Sequence, residues 1–213
     1  MDQIQQTYGR FLTAYQPDRP NPSSSVAVPE QLRLSAPDAE FLARYAGATF
    51  ADGLYRLHPI INIDRFTQIA AEAFPEFESR IICFGMDWLG RQFALDQSRI
   101  DNGAPSVLLL DAGAGEGLEV PATFRSFHNE ELVDYADAAL AVHLYHEWRS
   151  RGGAAPRSKQ CVGYSIPLFL GGRDTVNNLE LIDAEVYWGI VGQLRNKTRT
   201  LPVGTTVGQI AIS

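Results

Sequence analysis

"RIICFGMDWLGRQFALD", residues 80–96, decides the fold. Upstream of it, apolar residues recur at three- and four-residue steps; from here on they alternate. Alternation places successive side chains on opposite faces of a strand. The stretch therefore predicts two strands joined by a turn near Asp87–Gly90, with Asp87 and Trp88 at the tip. "SVLLLDAGAGEGLEV", residues 106–120, predicts another hairpin.

Toward the N-terminus the spacing is helical. Ile4, Tyr8, Phe11, Leu12 and Tyr15 outline a helix over 3–15. "QPDRPNPSSS", residues 16–25, follows as a proline-rich connector. A second helix begins near Leu34, capped by Ser35 or Asp38, with Phe41, Leu42 and Tyr45 on its apolar face and Gly47 at its end. "GLYRLHPII", residues 53–61, alternates like a strand, and Asp64 can cap a third helix through Phe74.

Toward the C-terminus, residues 128–150 read as the longest helix. Val133, Ala136, Leu140, Leu144 and Trp148 form one stripe, and Glu130, Asp134 and Asp137 share another face. In "GYSIPLFLGGRDTVNNLEL", residues 163–181, an apolar strand-like run meets Gly171 and Gly172, and "NLELI" returns as a strand. A last helix spans 184–197 with Val186, Tyr187, Ile190, Val191 and Leu194 as its apolar face. "LPVGTTVGQIAI", residues 201–212, closes as a turn and a short strand. Hairpins and helices mix without βαβ alternation. The expected class is α+β, an antiparallel or mixed sheet built from hairpins and packed with several helices.

Composition excludes several functions. The 213 residues are 45% hydrophobic and 20% charged, ordinary values for a globular chain of one or two domains. The net charge is -7, and residues 111–147 concentrate it, with eight acids against the single base Arg125. Such a segment disfavours nucleic acid as a direct ligand and favours a cationic partner. No apolar run approaches the roughly 20 residues that span a bilayer, and an acid at position 2 argues against a signal peptide. Cys83 and Cys161 sit in apolar runs, as buried thiols of a reducing compartment do.

Several motifs tempt and fail. "DAGAGEG", residues 111–117, imitates a dinucleotide fingerprint, but a strand-like segment with Pro121 follows where a helix is required, so a hairpin turn is expected. His143 and His146 are three apart, whereas the zinc-protease signature spaces its histidines by four. Asp183 reads as the N-cap of the last helix and Glu185 as its first turn, not as nuclease metal ligands. Gly171-Gly172-Arg173-Asp174-Thr175 lacks the Lys and the helix of a phosphate loop; it reads as a tight bend whose Arg173 can touch a partner. No serine lies in a nucleophile elbow. No catalytic, cofactor or metal site is expected. For Glu130, Glu131, Asp134 and Asp137 two readings stand, a solvated outer face or a binding surface.

"CVGYSIPLFLGGRDTVNNLELIDAEVYWGIVGQLRNKTRTLPVGT", residues 161–205, resembles the C-terminal domain of a bacterial family of type VI secretion immunity proteins that protect a cell from its own DNase effector. "PDAEFLARYAGATFADGLYRLH", residues 37–58, resembles the GAD-like domain preceding it there, and "FGMDWLGRQFALD", residues 84–96, fits the same architecture. The resemblance runs from about residue 25 onward. A more distant similarity, through Gly-Leu-Tyr-Arg, is to the SUKH superfamily. The resemblance implies a GAD-like lobe over 1–110 and an immunity lobe over 111–213, packed as one unit. It further implies a cytoplasmic protein without enzymatic activity that binds a cognate nuclease toxin. The alternative is a SUKH-like module with another protein partner. The residues expected at the toxin are Glu130, Glu131, Asp134, Asp137, Asp87, Trp88 and Arg173. Trp88 would be the apolar anchor, although the core is the commoner place for a tryptophan.

Overall fold

The computed structural model describes residues 2–18, 26–202 and 205. Helix α1 (Gln3–Ala14) buries Ile4, Tyr8, Phe11 and Leu12, and Asp2 caps it. Helix α2 (Ala36–Tyr45) starts after Ser35 with a proline in its first turn and buries Phe41 and Leu42. Gly47 follows at φ +85°, a conformation that glycine adopts without steric cost. The connector expected over 16–25 lies mostly outside the described residues.

Strands β1 (Thr49–Phe50) and β2 (Tyr55–Leu57) open a six-stranded sheet. Helix α3 (Ile63–Ala73) intervenes, its N-cap at Asn62 rather than at the expected Asp64. Strands β3 (Ile81–Asp87), β4 (Gln92–Asp101), β5 (Ala104–Asp111) and β6 (Glu116–Thr123) complete the sheet. Its order is sequential and every pairing is antiparallel. The sheet crosses the expected lobe boundary at 110/111 within the β5–β6 hairpin.

Both faces of this sheet are covered, so its alternation sorts residues between two cores. Phe84, Phe93, Leu95, Val107 and Leu109 face a core shared with α1 and α2. Cys83, Met86, Ala94, Leu108 and Leu110 face a second one shared with α3 and the last helix. Each fully buried Phe or Leu contributes roughly 1.5–3 kcal/mol through removal of apolar surface from water. The fold class is α+β.

The region expected as one helix over 128–150 is broken. It comprises a turn α4 (Phe124–Ser126), a wider π turn (Phe127–Glu131), then α5 (Leu132–Asp134), α6 (Ala136–Leu140) and α7 (Val142–Ser150). Ala141 at φ +51° ends α6, and Asp137 reaches past it to accept from the His143 backbone N–H at 2.8 Å. A polar side chain thus starts a new helix where the stripe pattern continues smoothly.

A separate two-stranded sheet pairs β7 (Gln160–Tyr164) with β8 (Leu179–Asp183). The apolar run after β7 is not strand: Leu168–Leu170 form a 3-10 turn and Ile166 is exposed. Helix α8 (Ala184–Thr198) is capped by Asp183, which accepts from Glu185 and Val186 backbone N–H groups. Its buried residues include Tyr187, Trp188 and Val191, whereas Val186 and Ile190, expected inside, are exposed. The closing strand expected over 201–212 falls almost wholly outside the described residues.

Candidate protein-binding surface

The turn between β3 and β4 is no free tip. Asp87 and Trp88 are both 0% exposed. The Trp88 backbone N–H donates to the Leu54 carbonyl, and its own carbonyl accepts from Val162 in β7. Its indole Nε1 donates to the Leu140 carbonyl at 2.9 Å. Trp188 of α8 donates to the Gly90 carbonyl at 2.7 Å. Asp87 pairs with Arg91 (2.6 Å), and Arg91 Nη2 donates to the Ala139 carbonyl at 2.9 Å. Burial pushes the Asp87 carboxyl up from its ordinary value, while the adjacent guanidinium opposes that push. The expectation that Asp87 and Trp88 touch a partner is therefore corrected. They form a buried post on which α6, β7 and α8 converge. Their role at any surface is to hold α6, whose last carbonyls would otherwise lack donors because Ala141 leaves the helix.

From the other side, α1 braces the acidic segment. Asn129 inserts its amide into the α1 ladder: Nδ2 donates to the Thr7 carbonyl at 2.8 Å and Oδ1 accepts from the Phe11 N–H at 3.3 Å. Those two groups are the partners of a regular i to i-4 bond, and α1 departs from helical angles at the intervening Tyr8. Tyr15 adds a hydroxyl donation to the Leu132 carbonyl at 2.6 Å. Beneath them His128 is fully buried among aromatic rings, with Phe124 at 4.5 Å and Phe11 at 5.1 Å between centroids. Its Nδ1 donates to the Phe124 carbonyl (2.7 Å), so its unprotonated Nε2 accepts from the Tyr55 hydroxyl (2.9 Å). Just after it the helix widens, and the Leu132 backbone N–H reaches back five residues to the Phe127 carbonyl. Burial lowers the His128 pKa to about 4 and keeps the ring neutral.

The four acids separate into two classes. Asp134 is ion-paired with Arg10 at 2.7 Å. Asp137 accepts from the His143 backbone and from its Nδ1, both at 2.8 Å, and these donors hold its carboxyl below the ordinary range. Glu130 is exposed and Glu131 half-buried; neither carboxylate makes a hydrogen bond or salt bridge among the described residues, although Glu130 lies near enough to Arg10 for their charges to interact. Between these acids stands Tyr135, 61% exposed at the break between α5 and α6. Sequence reasoning missed it. Its one signal is that it falls off the stripe of Val133, Ala136 and Leu140. An exposed tyrosine in an acidic segment is a typical anchor of protein interfaces.

Arg173 lies elsewhere, on the loop between β7 and β8, and bonds to none of these acids. That loop is cross-tied. Asn178 accepts from the Ile166 N–H (3.0 Å) and donates to the Ile166 carbonyl (2.8 Å) and the Arg173 carbonyl (3.0 Å). Tyr164 donates to Asp174 at 2.6 Å. Gly172 donates to the Pro167 carbonyl, and a Cβ there would run into the Ile166 carbonyl oxygen. Arg151 from the end of α7 donates to Asn177 at 2.9 Å, so the loop and the helical segment lean on each other.

Cys83 and Cys161 are buried and unpaired, with burial pushing each thiol up to about 12. Among the described residues no three His, Cys, Asp or Glu side chains group closely enough to hold a metal ion. No helix among them is long and apolar enough to cross a membrane.

These features lie largely in one stretch that is recognisable by comparison. Residues 122–195 match the family described as "T6SS immunity protein Tdi1, C-terminal". A search of the curated proteins returns no match. Among solved structures the chain is similar to "Crystal structure of Atu4351 from Agrobacterium tumefaciens", at 15% identity, over 87% of this chain and 88% of that one, with a TM-score of 0.58. At that identity the likeness shows the α+β fold alone. The match covers residues 122–195, and it is this segment that is similar to a type VI secretion immunity protein family.

Proposed function

We propose that the chain neutralises a DNase effector by covering its DNA-binding face, and that it does so without chemistry of its own. A surface that holds DNA must be cationic, because phosphate contacts dominate its affinity. An acidic protein competes with DNA for that surface and associates quickly under electrostatic steering. The observation carrying this reading is the placement of Glu130 and Glu131. Glu130 is exposed and Glu131 half-buried, both with carboxylates free of hydrogen bonds and salt bridges among the described residues, a few residues before the exposed Tyr135 and on a segment braced by α1 on one side and the Trp88 turn on the other. Such bracing lowers the ordering cost of association. In this reading Tyr135 takes the anchor role expected of Trp88. Residues 111–213 recognise the effector and residues 1–110, the GAD-like part, scaffold them. Protection against a DNase also places the encounter in the cytoplasm, where the DNA is.

The test is co-purification with the effector encoded by the neighbouring gene, followed by a DNA-degradation assay. Stoichiometric protection of DNA is the expected result. Tight binding to a partner that has no nuclease activity would replace this reading with that of a SUKH-like module for another protein.

A further inference from the structure

We infer that the β7–β8 loop is a second anchor, in which Arg173 and Ile166 enter an apolar-walled, carboxylate-bearing pocket on the effector. This rests on the function proposed above and names a contact of opposite charge to the acidic one. Ile166 is an aliphatic side chain 55% exposed. Arg173 is exposed, and its guanidinium has no hydrogen-bond or ion-pair partner among the described residues. Eleven other arginines have carboxylate partners here: Arg10, Arg44, Arg65, Arg80, Arg91, Arg99, Arg125, Arg149, Arg151, Arg195 and Arg199; what sets Arg173 apart is that it is unpaired on a rigid mount.

The mount is what separates this loop from an ordinary exposed bend. Asn178 spends all its described hydrogen bonds on the two limbs that carry Ile166 and Arg173. Gly171, at φ +86°, and Gly172 allow the chain to turn back against the Ile166 carbonyl. Tyr164 fixes Asp174, the residue next to Arg173. The Leu168 N–H donates to the Gly113 carbonyl, tying the loop to the β5–β6 turn. Pre-paid ordering of this kind favours tight contacts, and buried arginines are frequent hot spots. A guanidinium seeks a planar carboxylate, and the neighbouring Ile166 asks for an apolar wall. A nuclease supplies both where acidic side chains that hold catalytic metal ions sit within a cationic face.

The test is binding kinetics with the purified nuclease domain encoded by the neighbouring gene. Arg173→Ala and Ile166→Ser should each speed dissociation at least tenfold, with association nearly unchanged. Arg173→Lys should recover only part of the loss, because it keeps the charge and loses the fork. Asn178→Ala, which leaves both side chains in place, should weaken binding by loosening the mount. Thermal melting of the Arg173 and Ile166 variants should match the parent chain, since both side chains are exposed. If the parent binds and Arg173→Ala and Ile166→Ser both dissociate within threefold of it, the inference is overturned and the function proposed above stands. If the parent itself does not bind that domain, both are overturned.

Discussion

Trp88 donates its indole N–H to the carbonyl of Leu140 at 2.9 Å, across 52 residues of chain. This bond ties the β3–β4 turn to the last turn of α6, just before Ala141 leaves the helix. Arg91 serves the preceding carbonyl, that of Ala139, from the same turn. Both acceptors are ends of a short helix with no ladder partner of their own.

Trp88→Phe removes the donor together with the pyrrole half of the indole. It should cost at least about 1–3 kcal/mol, the penalty of a buried carbonyl left without a partner, and the vacated volume adds to that. Urea denaturation would measure it as a lower midpoint with an unchanged slope. An unchanged midpoint would mean that α6 is held by packing alone.

Asn129→Ala removes the amide that stands in for one rung of α1. The Thr7 carbonyl and Phe11 N–H must then re-form a direct bond or remain unsatisfied. The expected loss is about 1–3 kcal/mol. Hydrogen exchange at the Phe11 amide should quicken, and exchange at parental rates would show the kink at Tyr8 to have another cause.

Glu130→Ser with Glu131→Ser should slow association with a cationic partner at low salt, with little change in dissociation. Asp134→Ser should matter less, because its charge is already met by Arg10. Asp137→Ser should instead loosen the start of α7, whose His143 N–H it caps. Stopped-flow association rates across a salt series distinguish these effects. Equal rates for parent and double variant would remove this segment from the interface.

His128 sets a pH dependence. Its folded pKa is lowered to about 4 by burial, against about 6.5 in an unfolded chain. The unfolded state therefore binds the proton first, and stability falls as pH drops from about 6.5 toward 4. Over that window the loss is on the order of 3 kcal/mol from this residue. His58, buried beside Gln92 and stacked on Phe66, has a pKa lowered to about 3 and acts in the same direction. Replacing His128 with Gln should flatten the stability profile between pH 6.5 and 4. A profile as steep as the parent's would assign the acid sensitivity elsewhere.

Several elements were legible from residue pattern alone. The β3–β4 and β5–β6 hairpins follow from alternation, α1, α2 and α8 from helical spacing, and the Asp183 cap from its place before an amphipathic run. The acidic character of residues 111–147 was likewise visible, since it is a count. The break at Ala141 was not, because it depends on a cap reaching six residues ahead and on donors from a distant turn. The exposure of Val186 and Ile190 was also hidden: spacing marks a helix's apolar residues, but not how many of them a neighbour covers.

By itself, then, the sequence determined local conformation, overall class and the sign of the charge, because each depends on neighbours within a few residues. Only the tertiary structure decided which charged and aromatic groups face outward. It placed Asp87 and Trp88 inside, joined Asp134 to Arg10, half-buried Glu131, and left Glu130, Tyr135 and Arg173 exposed. The reason is physical. Burial and ion pairing are set by contacts between segments far apart in the chain, and no local period encodes which segments will meet.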